Sequence, residues 1–301
     1  MDDRQIHISV CICTFKRPEL LTRTLDAVLA QRTDGLFTYS VVVVDNDRAE
    51  SGRAVAEAKA SHFSVAIRYC VEPRQNIARA RNKAVESASG EYLAFIDDDE
   101  FPIAEWLLTL FKTLRESRAD GVLGPVNPRF EDGAPKWVID GGFYDRPVLP
   151  TGMLLNWRRC RTGNVLLKRE LFAEDAEPFN PECLSGEDQD FFRRKIEGGH
   201  SFIWCHEAEV YEVVPAVRWK RGFLIRRALF RGIFAQRNHG LQPLRVLQAA
   251  ISTPLYAVSL PFALFFGEAR FMTCVFKLSY HTGRLLAVFG FNPIRQPYVC
   301  E

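Results

Sequence analysis

The residues best able to do chemistry stand in a row: Asp97, Asp98, Asp99 and Glu100 close the apolar run 91–96. Such a run reads as a buried strand that delivers a carboxylate cluster to its C-terminal end, the edge where open α/β sheets bind ligands. Like charges packed this closely raise one another's pKa, and a divalent cation holding a phosphate is the first hypothesis for what relieves them. A plainer reading competes. Asp99 or Glu100 could complement the dipole of a helix expected over 103–117, after Pro102.

Two further acidic features join the cluster. Asp45 follows the apolar run 39–44 directly and is expected on the same sheet edge, although Asp45-Asn46-Asp47 is equally the composition of an Asx turn. Glu187 and Asp188 precede Phe191-Phe192. Ser185 and Asp188 match a capping box, while the same acidic pair, after a loop with Pro178, Pro181 and Gly186, suits a base at the lip of a pocket. A hydroxyl that attacks a sugar must lose its proton, and an ionised carboxylate in hydrogen-bond reach is the simplest group to take it.

Positioning these groups requires a sheet, and the first hundred residues alternate strand and helix signals. Strands are expected over 6–13, 39–44, 63–71 and 91–96. Helices are expected over 18–31, 51–61 and 76–88, the first with Leu20, Leu21, Leu25, Val28 and Leu29 at helical spacing. Strict alternation implies a mainly parallel sheet with right-handed crossovers. Residues 121–162, rich in Gly, Pro and aromatics, read as long loops and short strands of the kind that form binding walls. Regular structure resumes over 163–167, with a helix over 186–197 and strands near 202–204 and 208–214.

The chain has 301 residues, 47% of them hydrophobic, and a formal net charge of +2, which carries no global nucleic-acid signature. The charge is unevenly placed: no Asp or Glu occurs from Val213 to Gly267, where Arg218, Lys220, Arg221, Arg226, Arg227, Arg231, Arg237 and Arg245 lie. Residues 246–267 are uncharged and as a helix would span roughly 33 Å. Pro254 and Pro261 complicate a membrane span, and a buried helical hairpin is the alternative. Farther on, Arg270, Lys277, His281 and Arg284 form one stripe of a helix whose other positions are apolar, which suits a helix lying in a membrane interface. Arg226, Arg227 and Arg231 could meet anionic headgroups or the diphosphate of a lipid-linked acceptor. No RNA- or DNA-binding motif accompanies these charges. The polar start lacks a signal peptide, so a cytoplasmic chain is expected. Cys11 and Cys13 would share one strand face as reduced core thiols, since no second pair stands at zinc-site spacing.

The segment Val10-Cys11-Ile12-Cys13-Thr14-Phe15-Lys16-Arg17 is followed in order by Val43-Val44-Asp45-Asn46, Asn76-Ile77-Ala78-Arg79-Ala80-Arg81-Asn82, Gly90 through Asp99, Gly163-Asn164-Val165-Leu166-Leu167-Lys168-Arg169 and Gly186-Glu187-Asp188-Gln189-Asp190. This ordered set resembles the inverting glycosyltransferases of family 2. The resemblance implies an α/β, GT-A-like fold with a mainly parallel central sheet flanked by helices and a catalytic domain over 1–217, after which the charge and hydropathy pattern sets a basic and apolar helical region over 218–301. It implies that Thr14 and Asp45 hold the nucleotide base, that Asn76 and Arg81 close over the nucleoside, and that Asp98 meets the ribose. It further implies Asp97 and Asp99 at a Mg²⁺ or Mn²⁺ ion and Asp188 as catalytic base. The donor is expected to be a nucleoside diphosphate sugar, a UDP-sugar first, and the acceptor a carbohydrate or lipid-linked saccharide. The work would be done at an anionic membrane surface, on the cytoplasmic face. Many relatives carry a metal-binding His after the last strand; here residues 210–215 offer Glu212, either an oxygen ligand or a solvated strand-end acid. A nucleotidyltransferase or a dinucleotide oxidoreductase would need a glycine-rich loop after the first strand, and the stretch from Cys13 to Pro18 has no glycine. A noncatalytic sugar-nucleotide-binding module is the remaining alternative, and it would not need Asp188.

Overall fold

The computed structural model describes residues 5–183, 186–238, 242–291 and 293. By internal contacts the chain forms two compact units, Met1–Asn127 with Arg146–Glu212, and Pro128–Asp145 with Val213–Glu301.

The first unit follows the hydrophobic periods of the sequence. β1 (His7–Thr14), α1 (Pro18–Leu29), β2 (Thr38–Asp45), α2 (Arg53–His62), β3 (Ile67–Val71), α3 (Ile77–Ser87) and β4 (Tyr92–Asp97) alternate as expected. Then come β5 (Glu100–Pro102), α4 (Trp106–Glu116), β6 (Gly121–Leu123) and β7 (Val126–Phe130), the last continuing into the second unit, which also holds α5 (Lys136–Asp140). β8 (Val165–Lys168), α6 (Glu187–Glu197), β9 (Phe202–Trp204) and β10 (Val210–Val214) complete the order up to the second unit's long helices. Seven strands make one sheet in the order β3-β2-β1-β4-β8-β6-β9. Only β8 runs against the others, antiparallel to both β4 and β6.

Both faces of this sheet are buried, because successive strand residues point to opposite sides. Ile8, Val10 and Ile12 of β1 pack in one layer with Leu21, Leu25 and Val28 of α1 and Trp106, Leu110 and Phe111 of α4. Cys11 and, more loosely, Cys13 join the other layer with Ala78, Ala80 and Ala84 of α3 and Phe191 and Phe192 of α6, as their spacing requires. Each fully buried Leu, Ile or Phe contributes about 1.5–3 kcal/mol. Asn164, fully buried, ties the layers together: its amide donates to the Pro125 and Ala208 carbonyls, both at 2.7 Å, and accepts from the Trp106 indole at 2.7 Å.

The helix expected over 103–117 begins only at Trp106, with Glu105 at its N-cap position and β5 intervening. Asp99 and Glu100 therefore cap nothing, and the plainer reading of the acidic row fails. At α6 the N-cap is Gly186, whose φ of 80° places it in the left-handed region that favours glycine. The Ser185 half of the suggested capping box lies outside the described residues.

The second unit contains α7 (Arg221–Asn238), α8 (Pro243–Leu264) and α9 (Glu268–Val288). Its core is Val138, Tyr144, Val214 and Leu224, with Trp137, Trp219 and Phe276 packed against it. α7 and α9 cross closely because both carry glycine at the contact: a Cβ on Gly232 would lie 2.0 Å from the Tyr280 carbonyl oxygen, and one on Gly283 2.3 Å from that of Leu229. Of the stripe Arg270, Lys277, His281 and Arg284 expected at a membrane interface, Arg270 and Lys277 are exposed and Arg284 is turned inward. α9 packs against α7, α8 and α5, and Arg284 is buried, donating to Gln236 Oε1 at 3.0 Å. Arg227 is likewise turned inward, over the Tyr144 ring at 4.5 Å, while Arg226 and Arg231 are exposed. The apolar face left open belongs to α8, where Leu244, Leu247, Ile251, Leu255, Val258 and Phe262 are all exposed at intervals of three and four residues. α8 runs unbroken through Pro254 and Pro261 and is long and apolar enough to cross a membrane.

Candidate active site

The site is built by three adjacent parallel strands. In register, Thr14 of β1 lies beside Asp45 of β2, and Cys13 of β1 beside Asp97 of β4, so all three strands deliver polar residues to one edge. The apolar runs end there because the chain must turn away from the sheet, and the turns are made by the polar residues themselves.

At the end of β4 the three aspartates meet different surroundings. Asp98 is buried, accepting from Thr14 Oγ1 at 2.7 Å through Oδ2 and from Arg17 Nη1 at 3.3 Å through Oδ1, while Thr24 holds its carbonyl at 2.8 Å. Asp99 Oδ2 accepts from the same Arg17 nitrogen at 3.2 Å. Asp97 is the open member, its side chain 46% exposed, with Arg81 Nη2 at 3.6 Å. Beneath them Glu100 is buried and accepts from the Asp97 backbone N–H at 3.1 Å; it fits because residue 163 is glycine, where a Cβ would come within 2.5 Å of its carboxylate. Glu212 lies opposite Glu100 in the β5–β10 pair and binds Arg146 at 3.0 Å.

The electrostatics follow from burial and crowding. Desolvation, then the Glu212, Asp98 and Asp97 charges, push Asp99 up to about 7 against the pull of Arg17. Burial also raises Asp98, with Arg17 and Thr14 opposing it, and raises Glu100 well above the usual carboxylate range. At Asp99, burial and like charge outweigh the pull of Arg17.

Asp45 is fully buried and its carboxylate is occupied: the backbone N–H of Asp47 donates at 2.9 Å, that of Gly52 at 2.7 Å, and the Tyr69 hydroxyl at 2.8 Å. Its local work is the turn after β2. Asn46 fixes the next loop, donating to the Glu72 and Arg74 carbonyls and accepting from the Asn76 N–H. Asn76 is the N-cap of α3, accepting from the Arg79 N–H at 3.1 Å and donating to the Pro181 carbonyl at 2.9 Å. One turn on, Arg81 is buried between α3 and α6. It forms an ion pair with Glu187 and faces Asp97, and these carboxylates keep the guanidinium charged against the cost of burial. Asp188 follows Glu187 in the first turn of α6, partly exposed, accepting from the Gln189 N–H at 2.7 Å.

The structure therefore joins Thr14, Asp98 and Asp99 through Arg17, and Asp97 and Glu187 through Arg81, with Asp188 next to Glu187 in the chain. Asp45 and Asn76 stand at the border of these groups as loop organisers. Sequence reasoning gave no role to Arg17, read Glu100 only as part of the acidic row or as a helix-start acid, and read Glu187 only as half of an acidic pair, not as the partner of Arg81. The signal for Arg17 and Glu187 was present inside the quoted motifs, but their partners lie roughly 80 and 106 positions away.

The profile of Glycosyl transferase family 2 matches residues 9–174. Over 304 aligned residues the chain is 30% identical to the succinoglycan biosynthesis protein ExoM of Rhizobium meliloti (strain 1021), covering 98% of this chain and 97% of that one. Among solved structures, the mannosyltransferase PcManGT from Pyrobaculum calidifontis, in complex with GDP-Man and Mn²⁺, superposes with a TM-score of 0.64 at 17% identity, covering 96% and 89% of the two chains. S. aureus TarS 1-349 in complex with UDP superposes with a TM-score of 0.55 at 15% identity, covering 96% and 93%. These structural likenesses establish a shared GT-A fold, and with the sequence matches they make this chain a member of glycosyltransferase family 2.

Proposed function

We propose that the chain moves a sugar, with inversion, from a nucleoside diphosphate sugar to a hydroxyl of a carbohydrate or lipid-linked saccharide, in polysaccharide or glycolipid assembly. The observation that carries this reading is the buried guanidinium of Arg81, which meets Asp97 among the carboxylates of β4 and Glu187 next to Asp188. A transferase needs its leaving-group stabiliser and its acceptor base on one frame, because a misplacement of about 1 Å can cost roughly 10²-fold. A module that only binds a sugar nucleotide needs no base.

In this reading Thr14 and Asp45 border the base, Asn76 and Arg81 the nucleoside, and Asp98 the ribose. Asp97 and Asp99 would hold Mg²⁺ or Mn²⁺: carboxylate oxygens are hard ligands that suit either ion, and Asp99 is desolvated and crowded by like charge even with Arg17 beside it. When bound, the ion neutralises the departing diphosphate. Asp188 accepts the acceptor's proton, and Arg81 keeps the start of α6 in place through Glu187. The TarS and PcManGT complexes, with UDP and with GDP-Man and Mn²⁺, support a nucleoside diphosphate donor, a UDP-sugar being the first choice.

The setting is the cytoplasmic face of the cell membrane. The open apolar face of α8, with exposed Arg226, Arg231 and Arg245 in the same acid-poor unit, favours contact with an anionic lipid surface over nucleic acid.

A panel of UDP- and GDP-sugars, assayed for thermal stabilisation with and without Mn²⁺, tests the donor reading; one hundred Kd equivalents of the right donor should add about 2.7 kcal/mol. No stabilisation by any sugar nucleotide would sink it. Asp188→Asn should keep that stabilisation and lower turnover by about 10² or more. Turnover within about tenfold of the native protein would exclude Asp188 as base.

A further inference from the structure

The guanidinium of Arg17 stands at the N-cap of α1, reached through Lys16, whose φ of 55° turns the chain sharply after β1. That turn aims Arg17 back at the end of β4, where a single nitrogen, Nη1, lies 3.3 Å from Asp98 Oδ1 and 3.2 Å from Asp99 Oδ2. Both carboxylates are nearly buried, whereas the Arg17 side chain is 28% exposed, so it has an open side toward which to move. Asp98 is fixed independently of it by Thr14 and Thr24. Asp98 is therefore placed without the arginine, and the arginine supplies charge to both carboxylates.

From this geometry we infer that Arg17 is a built-in counter-ion that occupies the Asp98–Asp99 carboxylates when no donor is bound and gives way when a metal–nucleotide complex enters. The inference rests on the metal reading of the proposed function. A divalent ion coordinated by Asp99 would come within a few ångströms of the guanidinium, and two cations so close repel. Arg17 therefore holds down the affinity for free metal, while a nucleoside diphosphate, bringing its own negative charge, shifts the balance and offers the displaced guanidinium a new partner. Arg17 acts here as a positioning residue: it tunes the order of binding, metal with nucleotide rather than metal before it.

The test is Mn²⁺ binding by the full chain, read from the electron paramagnetic resonance signal of free Mn²⁺, with and without UDP. Native protein should bind Mn²⁺ weakly alone and more tightly with UDP. Arg17→Gln, which is shorter but keeps an uncharged donor, removes the charge and should bind Mn²⁺ about tenfold or more tightly without UDP, and the gain from adding UDP should shrink. Arg17→Lys should behave like the native protein. Equal Mn²⁺ affinity in native and Arg17→Gln protein, with uptake intact, overturns the role of Arg17 alone. No Mn²⁺ uptake by either, even with UDP, overturns the metal reading and this inference with it. Should Arg17→Gln fail to fold, a crystal structure of the native Mn²⁺–UDP complex decides: the guanidinium withdrawn from Asp99 supports the inference, and Arg17 still bridging both carboxylates beside the ion overturns it.

Discussion

Removing the Glu187 carboxylate would leave Arg81 buried with only the longer contact to Asp97, and uncompensated buried charge is costly. Glu187→Ala should lose about 3 kcal/mol in urea unfolding, and its turnover should fall because α6 no longer holds Asp188 in place. Arg81→Met with Glu187→Met removes both charges and should recover most of the stability but not the turnover; if it recovers both, the pair is scaffolding and nothing more. Asp99→Ala should abolish metal-dependent turnover and Mn²⁺ uptake together, and activity undiminished by thorough chelation in the native protein would count against the metal reading. At this scale the sequence was informative where chemistry is local. The row 97–100 and Asp188 could be picked out from residue type and position beside apolar runs. It was silent where chemistry is a meeting of distant segments: the Asp45 carboxylate is satisfied by Gly52 and Tyr69, and no local rule assigns a tyrosine on the next strand to an aspartate.

Between elements, Asp120 is a junction, its carboxylate accepting from the Ser201 N–H at 3.0 Å and from Lys168 at 3.3 Å, with His200 at 3.3 Å, where β6, β8 and β9 come together. Burial alone would raise its pKa, but the Ser201 N–H, Lys168 and His200 outweigh burial and hold it below the ordinary carboxylate value. With the folded pKa depressed, its contribution is fully present above the unfolded value near 3.8 and is lost as pH falls through the folded one. Asp120→Asn should therefore cost stability at pH 7, by about 1 kcal/mol, and the difference from native protein should shrink in unfolding curves as the pH is lowered from 3.8 through the folded pKa. In the second unit, Gly283→Val would drive a side chain into the Leu229 carbonyl and force α7 from α9, at about 3 kcal/mol; an unchanged melting profile would show that the crossing is loose. The alternating strands and helices up to Asp97 were legible because each has its own period and its own punctuation. β8 was recognisable as a strand but not as the reversed one, since the neighbour of a strand is not written in its period. The basic stripe of α9 was legible only in part for a related reason. Periodicity shows that a helix has two faces but not what each face meets, and glycine contacts with α7 turned Arg284 inward.

For the molecule as a whole, the open face of α8 sets the strongest expectation. Leu247→Glu with Leu255→Glu should reduce flotation with anionic vesicles about 10²-fold or more at any salt, since each apolar side chain kept out of water is worth about 1.5–3 kcal/mol. Arg226→Ser with Arg245→Ser should weaken flotation several-fold, and only at low salt, because charge attraction decays within a Debye length. A native protein that ignores vesicles and sediments as a dimer would mean that the face is covered by a second copy. Point substitutions are the right tool here, because removing residues 246–301 would also take away Phe276 and the rest of α9 from the core formed by Val138, Tyr144 and Leu224. That core has a further consequence, for the order in which the chain is made. Residues 128–145 belong to the same unit as residues 213–301. During synthesis Val138 and Tyr144 leave the ribosome well before Leu224 and Phe276 exist, and at about 5–20 residues per second the wait for α9 is on the order of ten seconds. Through that interval the nascent chain displays Trp137, Phe143 and Tyr144 with nothing to cover them, so its yield in the cell should depend on a holding chaperone and on slow, cool expression more than its final stability would suggest.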